Sequence, residues 1–183
     1  SGPTVLSLDE DWAYFAGMFI GDGCASSGHQ FVITHGDKDE YAAWRDVVME
    51  SCRRIGLPAS LAGDKRSTRL GSRVVYDILS QLDLAATRRS PEKHGKTLRV
   101  PEWVIKGGPK VVWAFMAGLW DTDGSFSPTN GVGRLVSKSP ELVGQVAFLL
   151  RSLYRHQGRE AGVELSDKTD ITLRIRIERT GAL

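Results

Sequence analysis

An α+β fold, built twice from the same unit, is what this sequence predicts on three observations. The first is a repeat. Residues 12–24 read WAYFAGMFIGDGC and residues 113–125 read WAFMAGLWDTDGS. At a constant offset of 101 the copies share Trp12/Trp113, Ala13/Ala114, Ala16/Ala117, Gly17/Gly118, Asp22/Asp123 and Gly23/Gly124. A duplicated segment implies a duplicated fold unit. The second is order: the stretch after each copy reads as hairpin, helix, hairpin. The third is size. A chain of 183 residues with 41% hydrophobic content suffices for one domain, or for two half-domains sharing an interface. The first repeat and the start of its linker fall in residues 1–90, and the second repeat in residues 91–183.

The first helix is expected to begin near Ser7, where Ser7 and Glu10 make a capping box. It runs through Trp12 to Ile20 with almost no polar residue, and a helix apolar all round must be buried all round. Its copy comes after Gly107-Gly108-Pro109, with Pro109 suited to the first turn. Both helices end at the glycine of their Asp-Gly pair, Gly23 and Gly124. CASSGHQFVITHG and SFSPTNGVGRLVSKS then read as hairpins, from small polar residues, glycines and partial alternation. Two capped amphipathic helices come next. Asp37 and Glu40 start one, with Tyr41, Trp44, Val48, Cys52 and Ile55 as its apolar stripe, and Gly56 stops it. Ser139-Pro140-Glu141 starts the other, with Leu142, Val146, Leu149, Leu150 and Leu153 as stripe and Gly158 beyond its end.

A second hairpin completes each half, PASLAGDKRSTRLGSRVVYDI against AGVELSDKTDITLRIRI. Asp64-Lys65 align with Asp167-Lys168, Leu70 with Leu173 and Arg73 with Arg176, at an offset of 103 that implies a two-residue insertion. In the last strand Ile171, Leu173, Ile175 and Ile177 alternate with Thr172, Arg174, Arg176 and Glu178. One face is therefore core and the other charged; the charged face suits nucleic acid or plain solvent. Between the halves the chain reads as an irregular connection with a short helix at VPEWV.

Net charge is +2, which says little about partners; the distribution says more. Lys65, Arg66, Arg69 and Arg73 cluster, as do Arg88, Arg89, Lys93, Lys96 and Arg99, and Arg174, Arg176 and Arg179. Such groups suit a phosphate backbone or, taken alone, a solvated face. No apolar run reaches the roughly 18 residues a bilayer span needs. SGPTVLSLDE has neither the basic region nor the apolar core of a secretion signal. The expectation is an intracellular protein of the cytoplasm or nucleoid, neither secreted nor membrane-bound. Cys24 and Cys52 make no disulfide framework and no metal finger. His29, His35, His94 and His156 are scattered, which argues against a histidine metal centre.

The repeated helices carry the chemistry. Ala16-Gly17 and Ala117-Gly118 remove side chains where two buried helices would touch, so their backbones can approach. Pseudo-twofold symmetry then sets Asp22 beside Asp123 at one end of the pair. One Asp-Gly alone reads as a helix-terminal turn. Two at equivalent positions read as paired carboxylates, which repel unless a divalent cation lies with them. An oxygen-only donor set of this kind suits Mg²⁺, which also keeps water and substrate phosphate oxygens.

AGMFIGDG and AGLWDTDG resemble the two signature motifs of the LAGLIDADG homing endonuclease family, in its single-chain, two-repeat type. GKTLRVPEWV, about 25 residues before Asp123, resembles the segment preceding the second motif in intein-encoded members. The resemblance implies two αββαββ halves, motif helices at the interface, and two antiparallel sheets forming a concave saddle over the DNA major groove. It implies that Asp22 and Asp123 bind Mg²⁺ at the scissile phosphates and that the carbonyls of Gly21 and Thr122 complete the coordination. Ca²⁺ or Mn²⁺ would substitute in binding or cleavage. Cleavage would leave short 3′ overhangs. A basic residue would stand beside the site. Its usual place, three residues before the proline, is here Leu98, which leaves Lys96, with Arg99 as the alternative. Two departures make the half-sites unequal: Ile20 stands where the second motif has Asp121, and RIERTGAL offers no lysine after the final strand. Splicing needs an N-terminal nucleophile and a C-terminal His-Asn pair, so the expectation is at most the endonuclease portion of an intein.

The implied partner is a long, asymmetric double-stranded DNA target bound by a monomer. In the first hairpins the reading residues would be Ser26, His29, Gln30 and Thr34, matched by Ser127, Thr129, Asn130, Arg134 and Lys138. In the second hairpins they would be Lys65, Arg66, Arg69 and Arg73, matched by Lys168, Thr172, Arg174 and Arg176. Arginine favours guanine, and Gln or Asn favours adenine. The alternative is a silent nucleic-acid-binding protein of the same fold, an RNA maturase or a DNA-binding regulator. A repeat protein with purely structural Asp-Gly turns is a third reading, but it leaves the basic hairpins unexplained.

Overall fold

The computed structural model describes residues 6–26, 30–35, 41–63, 66–84, 98–129, 131–156, 162–167 and 171–176. The elements of the first half are α1 (Glu10–Asp22), β1 (Gly23–Ser26), β2 (Gln30–Thr34), α2 (Ala42–Arg54), β3 (Ser60–Leu61), β4 (Ser67–Gly71) and α3 (Arg73–Gln81). The second half has α4 (Glu102–Lys106), α5 (Pro109–Asp123), β5 (Gly124–Ser127), β6 (Val132–Ser137), α6 (Pro140–His156), β7 (Gly162–Asp167) and β8 (Ile171–Arg176). The αββαββ series thus occurs twice, from α1 and from α5. Each set of four strands makes one antiparallel sheet of the same order, β1-β2-β4-β3 and β5-β6-β8-β7. None of the described helices is long and apolar enough to cross a membrane.

Local chemistry explains most boundaries. Pro109 opens α5 behind Gly108, whose φ of +84° suits glycine. Gly56, at φ +71°, ends α2: its N–H donates to the Arg53 carbonyl, and that of Leu57 to the Cys52 carbonyl. Ser139 caps α6 by accepting from the Leu142 N–H at 3.3 Å and donating to the Leu98 carbonyl at 2.7 Å. The Val100 N–H donates to Gln145 Oε1 at 2.7 Å. The segment entering the second half is therefore stitched to α6. Ser139 is buried, so Ser139→Ala strands a carbonyl and an N–H at once. A loss of roughly 2–3 kcal/mol is expected in urea unfolding.

Three expectations are corrected. Helix α1 starts at Glu10 with Asp9 as N-cap, its side chain accepting from the Trp12 N–H; Ser7 lies outside the helix. Tyr41 precedes α2 and is exposed, while Val48 and Cys52 of the same stripe are buried. The residues Asp37 and Glu40 lie outside the described set. Most consequential is the second hairpin of the first half. Its strand stops at Gly71, and Ser72 caps helix α3 by accepting from the Val75 N–H at 3.1 Å. Val75 and Leu79 then bury one helical stripe, a period that seven residues read against the second half's hairpin did not disclose.

Strand pairing also corrects the repeat alignment. Val32 pairs with Arg69 as Arg134 pairs with Arg174, and Phe31 pairs with Leu70 as Gly133 pairs with Ile175. The offset is therefore 102 between β2 and β6 and 105 between β4 and β8, not 103. Arg69 is the counterpart of Arg174, and Leu70 that of Ile175.

The core fills the space between the motif helices and the sheets. Phe15, Phe19 and Phe31 are fully buried. They form a chain, Phe15–Phe19 stacked at 5.9 Å and Phe19–Phe31 edge-on at 5.4 Å. Each such side chain contributes roughly 1.5–3 kcal/mol of burial.

Candidate metal and nucleic-acid site

The site is a product of how α1 and α5 touch. A Cβ on Gly17 would strike the Phe115 carbonyl oxygen, and a Cβ on Gly118 would strike the Tyr14 carbonyl oxygen. Tyr14 and Phe115 are themselves repeat equivalents, so the contact is reciprocal, as pseudo-twofold symmetry demands. One turn on, a Cβ on Gly21 would meet the Thr122 side chain. These are equivalent positions facing each other, each just before an acid. Asp22 and Asp123 are thus the last residues of two helices that converge at their C-terminal ends, and both are half-buried.

Electrostatics at this end favours a cation. Helix C-termini present carbonyls that lack intrahelical partners and carry the negative end of the dipole. Neither α1 nor α5 has a basic residue in its last turn. Two carboxylates and two helix ends therefore concentrate negative potential without a counter-charge from their own last turns. Among the described residues no group of three or more His, Cys, Asp or Glu side chains could cage a metal. Two carboxylates with backbone carbonyls could supply oxygen donors of the kind a hard cation takes together with water and substrate oxygens.

The pair is symmetric in its acids but not in its surroundings. Tyr14 donates to Asp121 Oδ2 at 2.7 Å across the interface, and burial together with this bond pushes the phenol above its ordinary range. The equivalents, Phe115 and Ile20, are fully buried hydrocarbon. Arg99 donates from Nε to Asp83 Oδ2 at 2.9 Å, which assigns it to joining the two halves beside the Trp103 Nε1–H bond to the Leu82 carbonyl at 3.2 Å. Lys96 lies outside the described residues.

On the first sheet, Phe31, Ile33, Thr68 and Leu70 face the core, while Gln30, Thr34 and Arg69 are exposed. On the second sheet Leu135 is buried and Arg134 and Arg174 are exposed at directly opposed positions. Like charges facing each other across strands destabilise a sheet, so this pair costs stability in the free protein. Arg66, Thr129 and Lys138 are exposed next to strand ends, and Ser127 is half-buried on β5. Ser26 pairs with Gln30, Thr172 with Val136 and Arg176 with Val132. Arg73 is not on a strand: it opens α3, 3.9 Å from Asp77. His29, Lys65, Asn130 and Lys168 lie outside the described residues. Cys24, Val32, Ser125 and Val136 share the outward register and were missed; strand alternation was the signal that could have found them.

His35 is buried with Nε2 3.1 Å from Thr68 Oγ1, a core contact. Burial pushes the Cys52 thiol up to about 12, whereas Cys24 is exposed. At pH 8 a maleimide is expected to modify one thiol, at Cys24, by intact mass; modification of both would contradict the buried position of Cys52.

This arrangement is the LAGLIDADG fold. Residues 110–176 match the family model of the LAGLIDADG-like domain. Mesophilic variants of the homing endonuclease I-DmoI share the fold at a TM-score of 0.58 and 18% identity, over 93% of this chain and 90% of that one. I-DmoI in complex with DNA and Mn gives 0.56 and 18%, over 92% and 90%. Full-length DUF199/WhiA from Thermatoga maritima gives 0.58 and 13%, over 96% of this chain and 54% of that one. In sequence, the chain is 23% identical over 149 residues to the DNA-directed RNA polymerase subunit Rpo1C of Methanocaldococcus jannaschii. That match covers 81% of this chain but only 16% of the polymerase subunit.

Proposed function

We propose that this protein is a site-specific double-strand DNA endonuclease that acts as a monomer, with Mg²⁺ held by Asp22, Asp123 and the carbonyls of Gly21 and Thr122. The observation that carries the reading is the reciprocal glycine contact that ends at two carboxylates. When bound, the metal supplies Lewis acidity that neutralises charge developing on the phosphate. The chain's own residues do the rest. Asp22 and Asp123 each address one strand, Lys96 polarises the attacking water, and the phosphodiester is hydrolysed to leave short 3′ overhangs. Exposed Arg69, Arg134 and Arg174 contact phosphates and base edges. I-DmoI has been solved in complex with DNA and Mn or Ca, and a variant of it with target DNA in the presence of Mg. That supports divalent metals here, with Ca²⁺ or Mn²⁺ substituting for Mg²⁺ in binding or cleavage. A match confined to 16% of a polymerase subunit supports an element carried within a host protein, as an intein endonuclease is.

The experiment is cleavage of a randomised plasmid library with Mg²⁺, with sequencing of the cut ends. An asymmetric site is expected, because Val32 stands where the other half has Arg134. Strand-resolved nicking is expected to show unequal rates, because Tyr14–Asp121 has only an apolar counterpart. A palindromic site cut equally on both strands would sink both expectations. The second reading, binding without cleavage, draws on the same fold in DUF199/WhiA, since a fold alone does not specify chemistry. Selective DNA retention with no cut in Mg²⁺ or Mn²⁺ would establish it.

A further inference from the structure

Both sheets start directly at the end of a motif helix, β1 after Asp22 and β5 after Asp123, so their rows of paired residues compare one for one. Cys24 and Ser125 each stand two residues beyond a motif acid. From them a row crosses each sheet: Cys24–Val32–Arg69–Ser60 in the first half and Ser125–Arg134–Arg174–Glu164 in the second. Arg69 and Arg174 match, and both are exposed. Cys24 and Ser125 are both small and exposed, while Ser60 and Glu164 stand on edge strands. On the inner strands the rows therefore differ at one place: Val32 is half-buried and Arg134 is exposed.

An arginine side chain donates hydrogen bonds and accepts none. Residues directly opposed on neighbouring strands hold their Cβ atoms about 5 Å apart. Arg134 and Arg174 thus bring two sets of donors together, and a base edge that satisfies them must be rich in acceptors. In the major groove guanine offers N7 and O6, whereas adenine and cytosine each expose an amino donor. In the first half Arg69 has Val32 opposite it. Valine brings no donor and gains from apolar contact, which in this groove the thymine methyl supplies. Given the double-stranded DNA partner proposed above, we propose that this one place distinguishes the two half-sites: Arg134 selects guanine in one, and Val32 selects thymine at the equivalent position of the other. Arg69 and Arg174, identical in both halves, address like positions.

The test selects binders of the full chain from a randomised duplex library in Ca²⁺, so that cutting plays no part. The wild type is expected to enrich one guanine and one thymine at places mirror-related about the midpoint of its footprint. Arg134→Ala is expected to lose the guanine preference, a change of about tenfold or more in affinity for that base over the others. Val32→Arg is expected to turn the thymine into guanine, on the strand opposite the first guanine. Val32→Gln adds no charge beside Arg69 and is expected to favour adenine there; it reads the same position should Val32→Arg disturb the sheet. Circular dichroism of the variants is expected to match the wild type. A selected sequence whose base preferences ignore all three substitutions would overturn the assignment and leave site-specific binding intact. So would preferences that shift at places not mirror-related. Enrichment of no sequence at all would overturn both the assignment and the site-specific reading on which it rests.

Discussion

Asp22→Asn and Asp123→Asn are each expected to lower double-strand cleavage by about a thousandfold or more while leaving DNA affinity within a fewfold. Asparagine keeps the shape and an oxygen but removes the charge that, on the proposed function, holds a cation at the converging helix ends. The two variants are expected to differ in what remains. Under the proposed function each acid serves one strand, so a single variant is expected to leave slow nicking of the opposite strand. Plasmid relaxation against linearisation in Mg²⁺ separates the outcomes, and binding in Ca²⁺ shows that the fold survives. Unimpaired linearisation by both variants would remove these acids from the mechanism.

Gly17→Ala and Gly118→Ala are expected to be strongly destabilising, at about 3 kcal/mol or more each in denaturant unfolding. In both cases the added Cβ meets a backbone carbonyl oxygen of the other motif helix, at Phe115 and at Tyr14. A backbone cannot rotate away as a side chain end can, so the helices must part. Gly144→Ala is the control. It lies within α6, where an added methyl group would have nothing within 4 Å, and alanine there should stabilise by roughly 0.5–1 kcal/mol. Equal effects at all three sites would mean that the α1–α5 contact is not close.

Much of this was legible from residue order because it depends on neighbours in the chain. The all-apolar motif segments had to be buried helices. Pro109, Gly56, Ser139 and the two Asp-Gly pairs marked real ends, since capping is settled within a few residues. The stripe from Leu142 to Leu153 read correctly because 17 residues of α6 leave the helical period unmistakable. The short run after Gly71 did not: SRVVYDI reads as strand from its match to the second half's hairpin, and only Ser72 at the N-cap hinted at α3. Among the site residues, Arg69, Arg134 and Arg174 came to exposed strand positions, whereas Arg73 went to a helix and Arg99 to Asp83. No local pattern encodes a partner 16 positions away in the chain across a linker.

By itself the sequence determined the duplication, the αββαββ order of each half, the two buried motif helices and the acids that close them. These arise from periodicity, capping and repetition, which are local properties. Only the tertiary structure decided the rest. It decided the strand register that makes Arg69 the counterpart of Arg174, the Tyr14–Asp121 bond that makes the two motif helices unequal, and the pairing of Arg99 with Asp83 across the linker. Those depend on which surfaces meet, and surfaces meet through burial and packing between residues far apart in the chain.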